Sequence, residues 1–108
     1  MTDDPQKWGP DKWREIHQKT LRYPRNPSQY HKRKMYEYFM NLPDELPCET
    51  CAKHLTEHLN TYPLTYQILS SRKRLCCWTV DIHNLVNKSL GKRELSYEEA
   101  FTIHLSHN

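Results

Sequence analysis

Apolar side chains recur at spacings of three and four along most of the chain, the period of helices with one buried face. Trp13, Ile16, His17 and Leu21 form the first such stripe. Gly9-Pro10 predicts its start, with proline in the first turn, and Tyr23-Pro24 its end. A second stripe, Met35, Tyr36, Phe39 and Met40, lies between Asn26-Pro27, which opens a helix, and Leu42-Pro43, which closes it. A third helix is predicted from about Pro47, with Cys48, Cys51, Leu55 and Leu59 on one face and Tyr62-Pro63 as its stop. The fourth runs from about Arg72 to Leu90 with Leu75, Trp78, Ile82, Leu85 and Val86 inward, and Gly91 provides the left-handed residue after its C-terminus. Ser96 and Glu99 stand in capping-box relation at the head of a short fifth helix, whose buried side is Tyr97, Ala100, Phe101, His104 and Leu105. No stretch near the cysteines alternates as a strand would. Short connections between such helices predict an all-α fold, a four-helix antiparallel bundle with the short fifth helix packed across it.

Composition narrows the class. The 108 residues show no repeat, composition break or Gly/Ser tract, so a single domain over residues 1–108 is expected. Only 36% of residues are hydrophobic and mean hydropathy is -0.99, which is low for a free-standing globule and points to a bound cofactor or a dimer interface that adds apolar contacts. Met1 to Lys7 is polar, and no run approaches the ~20 apolar residues of a membrane helix, so neither secretion nor a membrane span is expected. The net charge of +3 is modest. His31-Lys32-Arg33-Lys34 and Arg72-Lys73-Arg74 read as solvated helix faces, and no nucleic-acid partner is expected.

Chemistry concentrates in Pro47-Cys48-Glu49-Thr50-Cys51. Two cysteines separated by two residues at a helix start suit redox chemistry, because the unpaired amides and the helix dipole there stabilise thiolate, although the spacing alone is weak evidence. The same spacing occurs in zinc sites and in thioredoxin-like proteins. Zinc would have to draw on His54 and His58 as further ligands. Four side chains rising along one helix at about 5.4 Å per turn cannot surround an ion whose ligands sit ~2.0–2.3 Å away. A thioredoxin-like reductase needs a βαβ setting that this sequence lacks. No metal site is expected. Cys76 and Cys77 are adjacent and do not bridge readily, so they read as small apolar fillers.

A second polar cluster lies on the fourth helix. His83 and Asn87 are four apart and share a face, with Asn84 beside them and Trp78 about one and a half turns earlier. Histidine and asparagine are poor helix formers and need partners when buried, so a face built from them suits a bound heterocycle.

With these residues assembled, the chain resembles the Erv and augmenter-of-liver-regeneration family of FAD-dependent sulfhydryl oxidases. The resemblance rests on Trp13-x-x-x-His17 with Tyr23-Pro24, on Pro47-Cys48-Glu49-Thr50-Cys51 with His54, and on Trp78, His83-Asn84-x-Val86-Asn87 and Leu90-Gly91-Lys92 in that order. It implies FAD held within the helical bundle, usually of a homodimer. It also implies that Cys51 lies against the flavin while Cys48 faces substrate thiols. Trp13, His17 and Tyr23 would line the isoalloxazine and adenine regions, and Trp78, His83, Asn84, Asn87, Lys88 and Lys92 would hold the rest of FAD. Trp8 and Gly9 match the start of the FAD-contacting segment, His54 belongs to the same set, and Tyr97 or Phe101 stands for the aromatic of the last helix. The sequence has no second cysteine pair to act as a shuttle and no pair to tie down the last helix, so it is similar to the short virus-encoded branch. The resemblance implies a thiol oxidase that forms disulfides in protein substrates and passes electrons to O2, giving hydrogen peroxide. Its partners would be protein thiols, a thioredoxin- or glutaredoxin-like relay protein among them. Virion proteins are the expected substrates, in the host cytoplasm or in the virion, with the mitochondrial intermembrane space as the alternative location. The competing class is a non-catalytic zinc or interaction module that uses the cysteines structurally.

Overall fold

A computed structural model describes residues 4–105, with side chains as far as residue 103. Its elements are α1 (Pro5–Leu21), α2 (Gln29–Glu45), α3 (Glu49–Thr61), α4 (Tyr66–Leu69), α5 (Arg72–Ser89) and α6 (Tyr97–Leu105). The all-α prediction holds, with three boundary corrections, in α1 and α2, and one added element. Helix α1 starts at Pro5 rather than at Gly9-Pro10, because the Asp4 carboxylate accepts the Gln6 N–H at 3.0 Å and Pro5 occupies the position where a missing N–H costs nothing. Pro10 therefore falls inside α1, at an exposed position, and leaves the Gln6 carbonyl without its helical donor. Helix α2 starts at Gln29 because Ser28 and His31 cap each other's backbone, and it runs two residues past Pro43. The added element, α4, is one turn capped by Thr65 and too short to show a period.

Helix α5 is the centre of the bundle and packs against α1, α3, α4 and α6. Leu75, Trp78 and Ile82 on α5 meet Ile16 from α1, Phe39 and Leu42 from α2, and Leu55 and Leu59 from α3 in one continuous core. Phe39 and Trp78 lie edge to face, with centroids 4.9 Å apart. Gly91, at φ 72°, turns the chain out of α5, and Asn84 then holds the returning segment by bonding the Leu95 carbonyl at 2.7 Å and its N–H at 2.8 Å. Ala100 is buried and Phe101 half-buried, whereas Tyr97 is exposed. The side chains of His104 and Leu105, also expected inward, lie outside the described residues.

The capping box of α6 forms as predicted. The Ser96 hydroxyl accepts the Glu99 N–H at 3.1 Å, and the Glu99 carboxylate accepts the Ser96 N–H at 3.0 Å. Arg93 foremost, then the Ser96 N–H, holds the Glu99 carboxyl down from 4.5 to about 2. A carboxyl depressed in the folded state stabilises the fold above its unfolded value and loses that contribution as pH falls through the folded one. Glu99→Ala is thus expected to lower the melting temperature at pH 6, and the difference from the parent should close between pH 4.5 and about 2. Parallel thermal melts across that range check it.

Candidate functional site: a cavity walled by a disulfide

A cavity of about 350 Å³ opens between α1, α3, α5 and the approach to α6. Trp8, Gly9 and Trp13 come from α1, Leu42 and Leu46 from the end of α2, Cys51, His54 and Leu55 from α3, and His83, Val86 and Asn87 from α5. Gly9 is buried, yet a Cβ there would meet nothing within 4 Å, so its missing side chain leaves open space in the wall. Trp13 and His83 stack at 4.0 Å with planes only 5° apart, which gives the cavity a flat aromatic side. Behind it, buried His17 bonds His83 ring to ring at 2.9 Å. One ring must donate and the other accept, so this contact keeps the two histidines from both being charged.

Cys48 and Cys51 are joined as a disulfide. Cys48 is the N-cap of α3, and its sulfur accepts the Cys51 N–H at 3.2 Å. Cys51 forms part of the cavity wall while Cys48 does not, so the bond runs from the cavity outward. Among the described residues, no group of three or more His, Cys, Asp or Glu side chains is placed to hold a metal.

Eight of the expected cofactor residues line the cavity: Trp8, Gly9, Trp13, Cys51, His54, His83, Asn87 and Lys92. Five stand elsewhere. His17 lies behind the wall, against His83. Tyr23, beyond the end of α1 and out of its helical register, turns into the core and donates its hydroxyl to the Leu69 carbonyl at 2.8 Å. Trp78 is 1% exposed and bonds the Tyr62 carbonyl at 3.0 Å. Five residues at about 100° each place it roughly 140° around α5 from His83, facing Phe39 instead of the cavity. Asn84 is engaged with Leu95, and Lys88 is exposed outside the wall. Sequence reasoning missed three cations that join Lys92 in lining the cavity: Lys12, Arg14 and Arg93. Arg93 follows Lys92 directly, and Arg14 follows Trp13, so adjacency to named residues was the available signal.

A model of the Erv1 / Alr family matches residues 10–105. The chain belongs to that family. It is 45% identical over 96 residues, 89% of the chain and 67% of the relative, to a probable FAD-linked sulfhydryl oxidase of Acanthamoeba polyphaga mimivirus. It is 32% identical, over 90% of the chain and 79% of the relative, to the FAD-linked sulfhydryl oxidase of an African swine fever virus isolate. Among solved structures, the FAD binding domain of Erv1 from Saccharomyces cerevisiae superposes with a TM-score of 0.82 at 25% identity, covering 92% of this chain and 91% of that one. Viral members of the Erv1 / Alr family are thus prominent among the relatives, in keeping with the short-branch resemblance.

The two cysteines outside the disulfide are placed differently. Cys76 is buried with its thiol on the Thr20 carbonyl at 3.4 Å, and Cys77 is half-buried. Burial pushes both thiols up, for Cys77 with help from Asp81, which leaves them less nucleophilic at neutral pH. Among the described residues, no helix is long and apolar enough to cross a membrane.

Proposed function

We propose that this chain is an FAD-dependent thiol oxidase that makes disulfides in protein substrates, with Cys48 and Cys51 as its redox pair. The observation that carries this reading is the disulfide in the cavity wall, with Cys51 inside and Cys48 outside. The cavity suits FAD on its own chemistry. It offers a flat aromatic side from Trp13 and His83, polar groups from His83 and Asn87 for a heterocycle, and Lys12, Arg14, Lys92 and Arg93 for the diphosphate.

A substrate thiolate attacks the Cys48 sulfur, the Cys48–Cys51 bond breaks, and Cys51 leaves as a thiolate. A second substrate thiolate then attacks the sulfur bonded to Cys48, forms the product disulfide and expels the Cys48 thiolate. The Cys51 N–H already points at that sulfur and stabilises it as it leaves. Two substrate thiols have lost two electrons and the enzyme holds a dithiol. Trp13, His83 and Asn87, with Cys51 in the same wall, would hold FAD beside this dithiol, and the cofactor would supply the acceptor chemistry that passes the electron pair to O2 as hydrogen peroxide. We further propose a homodimer that acts on virion-directed protein thiols in the host cytoplasm, in line with the viral relatives.

The test is a spectrum and a product assay. Purified protein should be yellow, carry about one flavin per chain, and release one peroxide for each disulfide made from a reduced protein. A colourless protein that binds no added FAD, or one that holds zinc in place of flavin, would overturn the reading in favour of a structural module.

A further inference from the structure

Nine of the sixteen Lys and Arg residues, and none of the thirteen Asp and Glu, lie within residues 16–36 and 58–80. The fold brings these two segments to one end of the bundle. Arg72 at the head of α5 donates to the Tyr23 carbonyl at 3.5 Å, and the Tyr23 hydroxyl reaches Leu69 of α4. Lys32 and Gln29 of α2 both bond the hydroxyl of Tyr66 in α4, at 2.9 and 3.1 Å. Lys19, Arg22, Arg25, Lys32, Arg33, Lys34, Arg72, Lys73 and Arg74 therefore gather at one pole; neither segment carries a carboxylate, and acids approach only its edge, where Glu37 pairs with Lys34 and Asp11, Glu15 and Glu45 line a groove with Lys19, Arg22 and Lys34. The remaining seven cations stand among all thirteen acids, which is why the net charge of +3 conceals it.

Local stability gives no reason for this arrangement. Arg72, Lys73 and Arg74 fill the first turn of α5, which contains no acid, and cations there oppose the helix dipole. Of the nine, only Lys34 forms a salt bridge among the described residues, with Glu37 at 3.8 Å. Tyr30 and Tyr66 stand exposed within the pole, 57% and 59%, with Lys32 over the Tyr66 ring at 4.3 Å and Arg33 and Lys34 beside Tyr30 at 5.7 Å. Among the described residues the large exposed aliphatic side chains, Leu90 and Ile103, belong to the cavity, so this pole offers none of them to a bilayer. Dense charge of one sign with interleaved exposed aromatics matches a phosphate backbone and its bases better than the mixed charge of a protein surface.

In place of the sequence-based expectation of no nucleic-acid partner, which took each basic stretch by itself, we infer that this pole binds nucleic acid through its phosphates, with Tyr30 and Tyr66 stacking on unpaired bases. From Lys32 to the end of α2 at Glu45 is ~20 Å along the helix axis, so an occupant leaves the disulfide open to thiols. The inference does not depend on the oxidase reading, and its measurement is binding alone.

The test is fluorescence anisotropy of the full chain with a labelled mixed-sequence single strand of about 20 nucleotides. Binding is expected at about 50 mM salt and should weaken roughly 50-fold by about 200 mM, as for about four phosphate contacts. Arg33→Glu with Lys34→Glu, and separately Lys73→Glu with Arg74→Glu, should each cost about tenfold and flatten the salt slope, because each removes about two contacts of one surface. Tyr30→Ala with Tyr66→Ala should weaken the single strand by at least about fivefold while leaving duplex binding within about twofold. Melting curves confirm that each variant is folded, and an unfolded pair is replaced by the corresponding pair of glutamines. No saturable binding at about 50 mM salt overturns the inference. So does an unaffected α5 pair, or tighter binding to phosphatidylserine vesicles or polyglutamate than to the oligonucleotide.

Discussion

Cys51→Ser is expected to stop catalytic oxidation of a dithiol protein, with a loss of at least about 10³-fold, equivalent to roughly 4 kcal/mol of barrier. The reason is positional. Cys51 alone of the pair lines the cavity, so without its sulfur the electron pair collected at Cys48 has no route inward. Cys48→Ser should be equally inactive on a protein substrate, since the outward sulfur is the one a bulky thiol reaches. The two variants then diverge. Offered the oxidised partner, Cys51→Ser retains the Cys48 thiol, which opens the partner's disulfide and stays covalently joined to it, because no neighbouring thiol resolves the bond. Cys48→Ser should form no such adduct. Peroxide release and thiol loss measure the first effect, and non-reducing mass spectrometry the second. Wild-type turnover by either variant would remove the pair from the chemistry.

Loss of His83 should act on cofactor retention and on stability in separable ways. His83 stacks on Trp13 and bonds His17, so His83→Ala both removes a face of the cavity and leaves a buried histidine without that partner. The second effect lowers the melting temperature of the apoprotein. The first reduces the additional stabilisation from FAD, which for the parent amounts to about 2.7 kcal/mol at 100 times the dissociation constant. Melts with and without FAD separate them: in His83→Ala the gap between the two curves should shrink to near zero at the same FAD concentration. Trp78→Phe is the contrasting variant, lowering both curves together because Trp78 lies in the core and not in the cavity. An undiminished gap in His83→Ala would exclude the Trp13–His83 side from cofactor binding.

Most of the helical architecture was legible because each long helix buries one stripe, and a stripe is a local periodic property. Leu75, Trp78 and Ile82 were readable as core from spacing alone, and Ser96 with Glu99 as a cap. One-turn α4 had no period to show. The start of α1 was misread because Gly9-Pro10 carries the same local signal as Asp4-Pro5, and only the side-chain bond from Asp4 decides between them.

The disulfide pair was legible for a similar reason, since Cys48 and Cys51 need only one turn of one helix to meet. Sequence by itself also determined the family, through motifs spread over α1, α3 and α5 in a particular order. It did not determine which aromatic faces the cavity. Trp13 does and Trp78 does not, and that choice rests on the rotation of α5 against α1 and α2. The same holds for charge. Arg14, Lys92 and Arg93 reach one cavity, and the two basic segments reach one pole, because packing brings together residues far apart in the chain, and electrostatic fields sum over distance in space and not over position in sequence.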